Sequence, residues 1–298
     1  MSFTAADVKN LREKTGCGMM DCKKALTETN GDFDKAMDFL REKGLATAEK
    51  KAGRIAAEGM VDILVEGNVG AMVEVNSETD FVAKNEEFQA LVKNIAKQVI
   101  ATNPADVDTL LASDFVDDGA VTIKDMLTEK SAKIGENMNL SRFARFDGNV
   151  VGYIHMGCRI GVMVNVECAD FSDEAKEAAR DVAMHIAAMN PAYLDEASVP
   201  AEDLEKEKHF ILAQMKEDPK NANKPENILE KMLTGKINKF FEQNCLTKQA
   251  FVKDDSVSVE KFLASKGVKL VDFVRFEKGE VLEKKADDFA AEVASMMK

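Results

Sequence analysis

Gly70-Ala71-Met72-Val73-Glu74-Val75 and Gly161-Val162-Met163-Val164-Asn165-Val166 decide the fold, because the chain carries the same phrase twice in the same surroundings. Ahead of the first, Met60, Asp62, Leu64 and Glu66 alternate with Val61, Ile63 and Val65, and Gly67-Asn68 is a hairpin turn signal. Behind it, Phe88, Leu91, Val92, Ile95 and Val99 share one helical face up to Asn103-Pro104. The second phrase follows a strand and turn over Asn149 to Cys158 and leads into a helix over Ala175 to Met189, stopped at Asn190-Pro191. The pattern predicts an α+β fold with a duplicated hairpin-plus-helix core, each half a sheet with helices against it. The first copy is the longer, Gly70–Pro104 against Gly161–Pro191, and its surplus falls around Asn76 to Asn85.

Outside the repeat the period is helical. Thr4 can cap a first helix with Val8 and Leu11 inward, and Gly16 to Gly18 breaks the chain. Met19, Cys22 and Leu26 form the inner stripe of a second helix, and Phe33, Met37 and Leu40 that of a third, after the turn Asn30-Gly31-Asp32. Helices this short must share one small core. Gly44 to Ala57 has small residues, Lys50, Lys51 and Arg54, and no apolar period, and reads as a partly helical linker. Val121 to Gly135 is a helix between the copies. Ala201 to Glu217 and Pro225 to Gln243 flank Asp218-Pro219-Lys220 and predict a helical hairpin projecting as a coiled coil, with Leu204, Ile211 and Met215 facing Ile228, Met232 and Leu233. A helix over Val257 to Lys266, a strand over Val268 to Phe276 and a last helix over Asp287 to Lys298, with Phe289, Val293 and Met297 in register, complete the reading. The expected domains are 1–54, 55–140, 141–277 interrupted at about 195–243 by the hairpin, and a C-terminal helical module, 278–298.

Composition removes whole classes of function. The 298 residues carry 53 acidic and 40 basic side chains, a net charge of −13, which opposes direct nucleic-acid binding because phosphate contacts need a basic surface. No run approaches the ~20 apolar residues that span a bilayer, and Met1 to Asn10 resembles neither a signal sequence nor a transit peptide. The five cysteines, Cys17, Cys22, Cys158, Cys168 and Cys245, are odd in number and scattered, as in a reducing cytoplasm. The expectation is a cytoplasmic protein whose partner is another protein.

The search for bond-making chemistry is almost empty. There is no phosphate loop, nucleophile elbow or H-E-x-x-H helix, and Gly16-Cys17-Gly18 lacks the strand and third glycine of a dinucleotide site. Three histidines and an isolated Cys17/Cys22 pair predict no metal and no cofactor. His155 falls in the turn of the second hairpin, and His185 on a helix whose inward face is Val182, Ile186 and Met189; both read as surface or locally bonded histidines.

The surplus of the first copy is different. Asn76-Ser77-Glu78-Thr79-Asp80-Phe81-Val82-Ala83-Lys84-Asn85 joins strand to helix, and Asn85 before Glu86-Glu87 is a good helix start. Phe81 and Val82 then precede the helix, off its apolar stripe. Spacing alone favours a hydrophobic staple at Phe81 and an N-cap at Asp80. An exposed apolar pair beside a carboxylate is the other reading, since a buried aromatic anchor in a partner's pocket is worth ~2 kcal/mol or more.

Leu11-Arg12-Glu13-Lys14-Thr15-Gly16-Cys17-Gly18-Met19-Met20-Asp21-Cys22-Lys23-Lys24-Ala25-Leu26 resembles the N-terminal signature of the bacterial translation elongation factor Ts family. Glu74-Val75-Asn76, Thr79-Asp80-Phe81-Val82-Ala83, Lys133-Ile134-Gly135-Glu136-Asn137, Arg159-Ile160-Gly161-Val162, Leu246-Thr247, Phe251-Val252 and Arg275-Phe276-Glu277 resemble its other motifs, in order along the chain. The resemblance implies a ubiquitin-associated-like (UBA-like) N-terminal domain, a two-part core, a helical hairpin and a C-terminal module. It implies guanine-nucleotide exchange on the GTPase elongation factor Tu, with no chemical step. The family's magnesium-dislocating segment maps onto Thr79, Asp80, Phe81 and Val82, and its N-terminal contact surface onto Arg12, Met19 and Met20. Of these the stripe makes Met19 structural and leaves Met20 exposed. His155 matches a core loop that meets the partner, although some relatives carry that histidine where this chain has Met156. Two alternatives belong to other classes: a scaffold or chaperone-like protein docking, or self-associating, through its hairpin and terminal helix, and an enzyme using His155 with nearby carboxylates. A scaffold has no need of a phenylalanine-bearing tip in one copy alone.

Overall fold

The computed structural model describes residues 3–282, apart from 52, 219–220 and 222–223, with the side chains of 45 and 47–49 also undescribed. The helix expected at 287–298 lies outside the described residues, which mix α-helices with small sheets, an α+β fold. Two compact units partition the chain: Met1–Val61, Val73–Phe143 and Glu277–Lys298 form one, Asp62–Met72 and Ala144–Phe276 the other.

In the first unit α1 (Ala5–Thr15), α2 (Met19–Glu28) and α3 (Phe33–Lys51) enclose Val8, Leu11, Cys22, Ala25, Leu26, Ala36 and Leu40. Thr4 and Asp7 close a capping box on α1, and Gly16 at φ 67° ends it in the left-handed conformation that glycine adopts without strain. Met19 departs from the expected inner stripe. It is the first residue of α2 and 47% exposed, and Ala25 completes the buried face instead. The chain continues through β1 (Glu58–Glu66), β2 (Val69–Ser77), α4 (Asp80–Ala83), α5 (Glu86–Thr102), α6 (Val107–Ala112), β3 (Asp114–Phe115), β4 (Asp118–Thr122), α7 (Ile123–Ile134) and β5 (Met138–Asp147), of which β1, β2 and β5 each have residues in both units. The sheet order is β1-β2-β5. α3 runs through the expected linker as far as Lys51. A Cβ on Gly44 would sit 3.0 Å from Cβ of Ala132 on α7, so a small residue, not an apolar stripe, marks this contact.

The second unit has β6 (Asn149–His155), β7 (Ile160–Cys168), α8 (Asp173–Met189), α9 (Ala201–Glu217), α10 (Glu226–Asn244), β8 (Ala250–Phe251), β9 (Asp254–Ser258), α11 (Val259–Ser265) and β10 (Val268–Glu277). Its sheet order is β6-β7-β10, with β6 and β7 antiparallel from Asn149↔Val166 to His155↔Ile160. α8 buries Val182, Ala183 and Ile186 against the sheet, while Met189, expected inward, is exposed at the last turn. α9 and α10 enclose Ile211, Met215 and Ile237, flanked by Leu204, Leu229, Met232 and Leu233. Leu229 takes the place expected for Ile228, which is exposed.

The two halves correspond bond by bond. α5 and α8 both end on an asparagine in the left-handed region, Asn103 and Asn190. Five residues before each cap, a buried side chain reaches the following two-strand hairpin. Gln98 accepts the Val116 N–H at 2.9 Å through Oε1, and His185 accepts the Val252 N–H at 3.1 Å through Nδ1. Gln98 donates Nε2 to Oγ of Ser113 at 2.9 Å, and His185, in the tautomer this requires, donates Nε2 to Oε1 of Gln249 at 2.9 Å. Ile123 and Val259 then donate their N–H groups to the carbonyls of Ser113 and Gln249. β3–β4 and β8–β9 share one register, Asp114↔Thr122 with Phe115↔Asp118 and Ala250↔Ser258 with Phe251↔Asp254.

Burial pushes the pKa of His185 below its ordinary 6.5, so the unfolded chain takes up its proton first on acidification. The stability it contributes is complete above pH 6.5 and lost below, by at most about 1.4 kcal/mol per pH unit. The double variant His185→Gln, Gln249→Ser rewrites the second half with the first half's residues. Urea denaturation between pH 7 and pH 5.5 is expected to show a weaker pH dependence in it than in the parent. His185→Ala, which empties a fully buried site and removes the acceptor of the Val252 N–H, is expected to cost about 1–3 kcal/mol at pH 7.5.

Candidate functional site

The surplus residues of the first half fold as one turn of helix, α4, held at both ends. Thr79 stands at the N-cap, but its hydroxyl makes no cap bond. It donates to Oε1 of Glu136 at 2.6 Å, while the Thr79 N–H donates to Oε2 of the same carboxylate at 2.9 Å. The exchange is reciprocal, for Glu78 accepts the N–H of Asn137 at 2.6 Å. Asn137 in turn donates its amide to the carbonyl of Arg54 at 2.8 Å, and Ser131 donates to the Glu136 carbonyl at 2.6 Å. Behind α4, Asn85 caps α5 by accepting the Glu87 N–H at 2.8 Å. Glu87 accepts from Lys133 and Lys130 on α7 at 2.9–3.0 Å, and these ammonium groups, Lys133 foremost, hold its pKa at about 2.

Below the segment lies a second polar knot. The buried Glu74 accepts from Arg142 Nε at 2.7 Å, from the Gly279 N–H at 2.7 Å and from the Asn76 amide at 3.1 Å, and Asn76 accepts from Ser141 at 2.6 Å. A buried carboxylate is stable only with such a full set of donors. The end of β2 is thereby fixed, and α4 grows from a rigid base.

On that base Phe81 is 79% exposed and Val82 is 6% exposed. The staple expected from spacing does not form, and Asp80 is not the cap. The apolar pair divides: Val82 roots the turn in the unit while Phe81 stands in solvent. Lys84 donates to Asp80 at 2.6 Å and lies 5.9 Å from the centre of the Phe81 ring. That hydrogen bond, with the charge behind it, holds the Asp80 carboxyl below the usual carboxylate range.

The other expected residues stand on separate elements. Arg12 is exposed on α1, and Met19 and Met20 are 47% and 72% exposed on the first turn of α2. His155 closes β6 opposite Ile160 instead of lying in the turn, half-buried, with Nδ1 3.0 Å from the Tyr153 hydroxyl. The turn beyond it is Met156, Gly157 and Cys158, all at positive φ, with Met156 63% exposed. Glu78, Glu136 and Asn137 bond around the segment, and Glu136 and Asn137 belong to the 133–137 motif, but their pairing has no short-range signature because each partner lies far along the chain. Among the described residues no group of three or more histidine, cysteine or acidic side chains is arranged to hold a metal, and no helix is long and apolar enough to cross a membrane.

The division between Phe81 and Val82 makes opposite predictions for stability. Phe81→Ala is expected to change folding free energy by less than about 0.5 kcal/mol. Val82→Ala removes two buried methylene equivalents and is expected to cost about 2 kcal/mol in chemical denaturation.

A sequence model of one family, described as elongation factor TS, matches residues 78–280, from the Glu78 clamp to the Glu280 partner of Arg142. The match spans more than half of the chain and contains the whole of α4, both two-strand hairpins and the helix pair α9–α10. The chain belongs to the elongation factor Ts family, whose role is nucleotide exchange in translation elongation.

Proposed function

We propose that the protein binds elongation factor Tu in its GDP form, promotes release of GDP and of the magnesium bound with it, and so allows GTP to load. The observation that carries this reading is Phe81, an aromatic side chain almost wholly exposed on a turn fixed at both ends. Phe81 inserts between elements of the GTPase and displaces the segment that holds the metal. Asp80 adds a negative charge near that metal's ligands without becoming a lasting ligand itself. Arg12, Met19 and Met20 on the UBA-like helices of domain 1–54 grip the partner and keep Phe81 in register, and His155 with the adjoining turn of the 141–277 core half makes a further contact. No bond is made or broken in this mechanism. The factor favours the nucleotide-free GTPase, and by linkage a thousandfold weakening of nucleotide binding requires ~4 kcal/mol of coupling between the two ligands.

Release of labelled GDP from elongation factor Tu tests the reading. The parent is expected to accelerate release strongly, and folded Phe81→Ala to lose roughly 30-fold of that effect, the equivalent of an anchor worth ~2 kcal/mol. Equal acceleration by both would move the work away from Phe81. No acceleration by a folded parent that still binds the GTPase would leave a scaffold.

A further inference from the structure

The structure assigns Glu136 as the positioning residue of the exchange segment, an inference that rests on the reading of Phe81 above. A four-residue helix cannot hold itself in water, since nucleating one turn is unfavourable. α4 also lacks the side-chain cap that would ordinarily fix its first turn, because the Thr79 hydroxyl is turned away from it and donates to Glu136. One carboxylate takes both the hydroxyl and the backbone N–H of Thr79, two residues before Phe81. The backbone of Glu136 is held in turn from α7, where the Ser131 hydroxyl donates to its carbonyl, and the N–H of the next residue, Asn137, goes to Glu78. Glu136 touches neither Asp80 nor Phe81 in any of these bonds, so it acts through Thr79. Its contribution is the direction in which the Phe81 ring leaves the surface.

The consequence is specific. Loss of Glu136 leaves Phe81 chemically intact but free to point elsewhere, so the factor still docks while its wedge arrives misplaced. Misplacement on the order of 1 Å at a working group costs up to ~100-fold in rate. The test measures labelled-GDP release from elongation factor Tu against concentration of the parent chain, Glu136→Ala, Phe81→Ala and the double variant, with a thermal melt of each. Glu136→Ala is expected to lower the maximal release rate at least about tenfold, to change the half-saturating concentration much less, and to add nothing further in the Phe81→Ala background. Such non-additivity marks two residues acting as one device. Should Glu136→Ala melt more than ~5 °C below the parent, Glu136→Gln, which keeps one acceptor oxygen, gives the same comparison. Full acceleration by the folded variant, or a loss that multiplies with that of Phe81→Ala, overturns the assignment while leaving the exchange function in place. A folded parent without acceleration removes both.

Discussion

The N–H of Val116 and that of Val252 lie in tight two-strand hairpins, and each donates to a buried side chain on a neighbouring helix, whose polar atoms must find partners. Gln98 and His185 are fully buried, and a buried polar side chain left unpaired costs a large fraction of a domain's net stability, so each ties its helix to the hairpin that follows. Both units meet this requirement at the same turn of helix. One uses an amide and the other an imidazole, and both pass a second bond to the residue at the start of the hairpin, Ser113 or Gln249. What the two halves hold in common is thus the position of an acceptor, a property no residue-by-residue comparison of Gln98 with His185 would suggest.

Against that shared plan the difference between the halves stands out. Where α8 follows its strand by way of a simple Ser172 cap, the first unit inserts a helical turn and surrounds it with carboxylates that bond backbone N–H groups. Such bonds are charge-assisted and short, and two of them in opposite directions resist rotation better than one. The exposed aromatic they support has already lost its backbone freedom before any partner arrives, which lowers the entropy cost of docking it.

Long periodic helices, the β1–β2 hairpin and the doubling of the core were legible because each repeats its signal several times over a short stretch. The hairpins β3–β4 and β8–β9 were not, since strands of two and five residues give almost no period. A signal existed nonetheless: Phe115, Val116, Asp118, Val121 and Thr122 match Phe251, Val252, Asp254, Val257 and Ser258 in spacing. Met19 lies in register with the stripe yet stays exposed, because a helix's first residue has no turn before it to cover it. At the site, the position and peculiarity of 76–85 were visible, but the separation of Phe81 from Val82 depends on a one-turn helix too short to leave a pattern. The Glu136 bonds depend on proximity between segments that only the folded chain brings together.

The chain contains no tryptophan, so it has no indole fluorescence of its own, and its two tyrosines emit at shorter wavelength. The exposed ring on α4 is therefore a place where Phe81→Trp would install a lone indole. Its wavelength would report whether water or protein surrounds that ring, so that covering of the turn would become visible as a colour change.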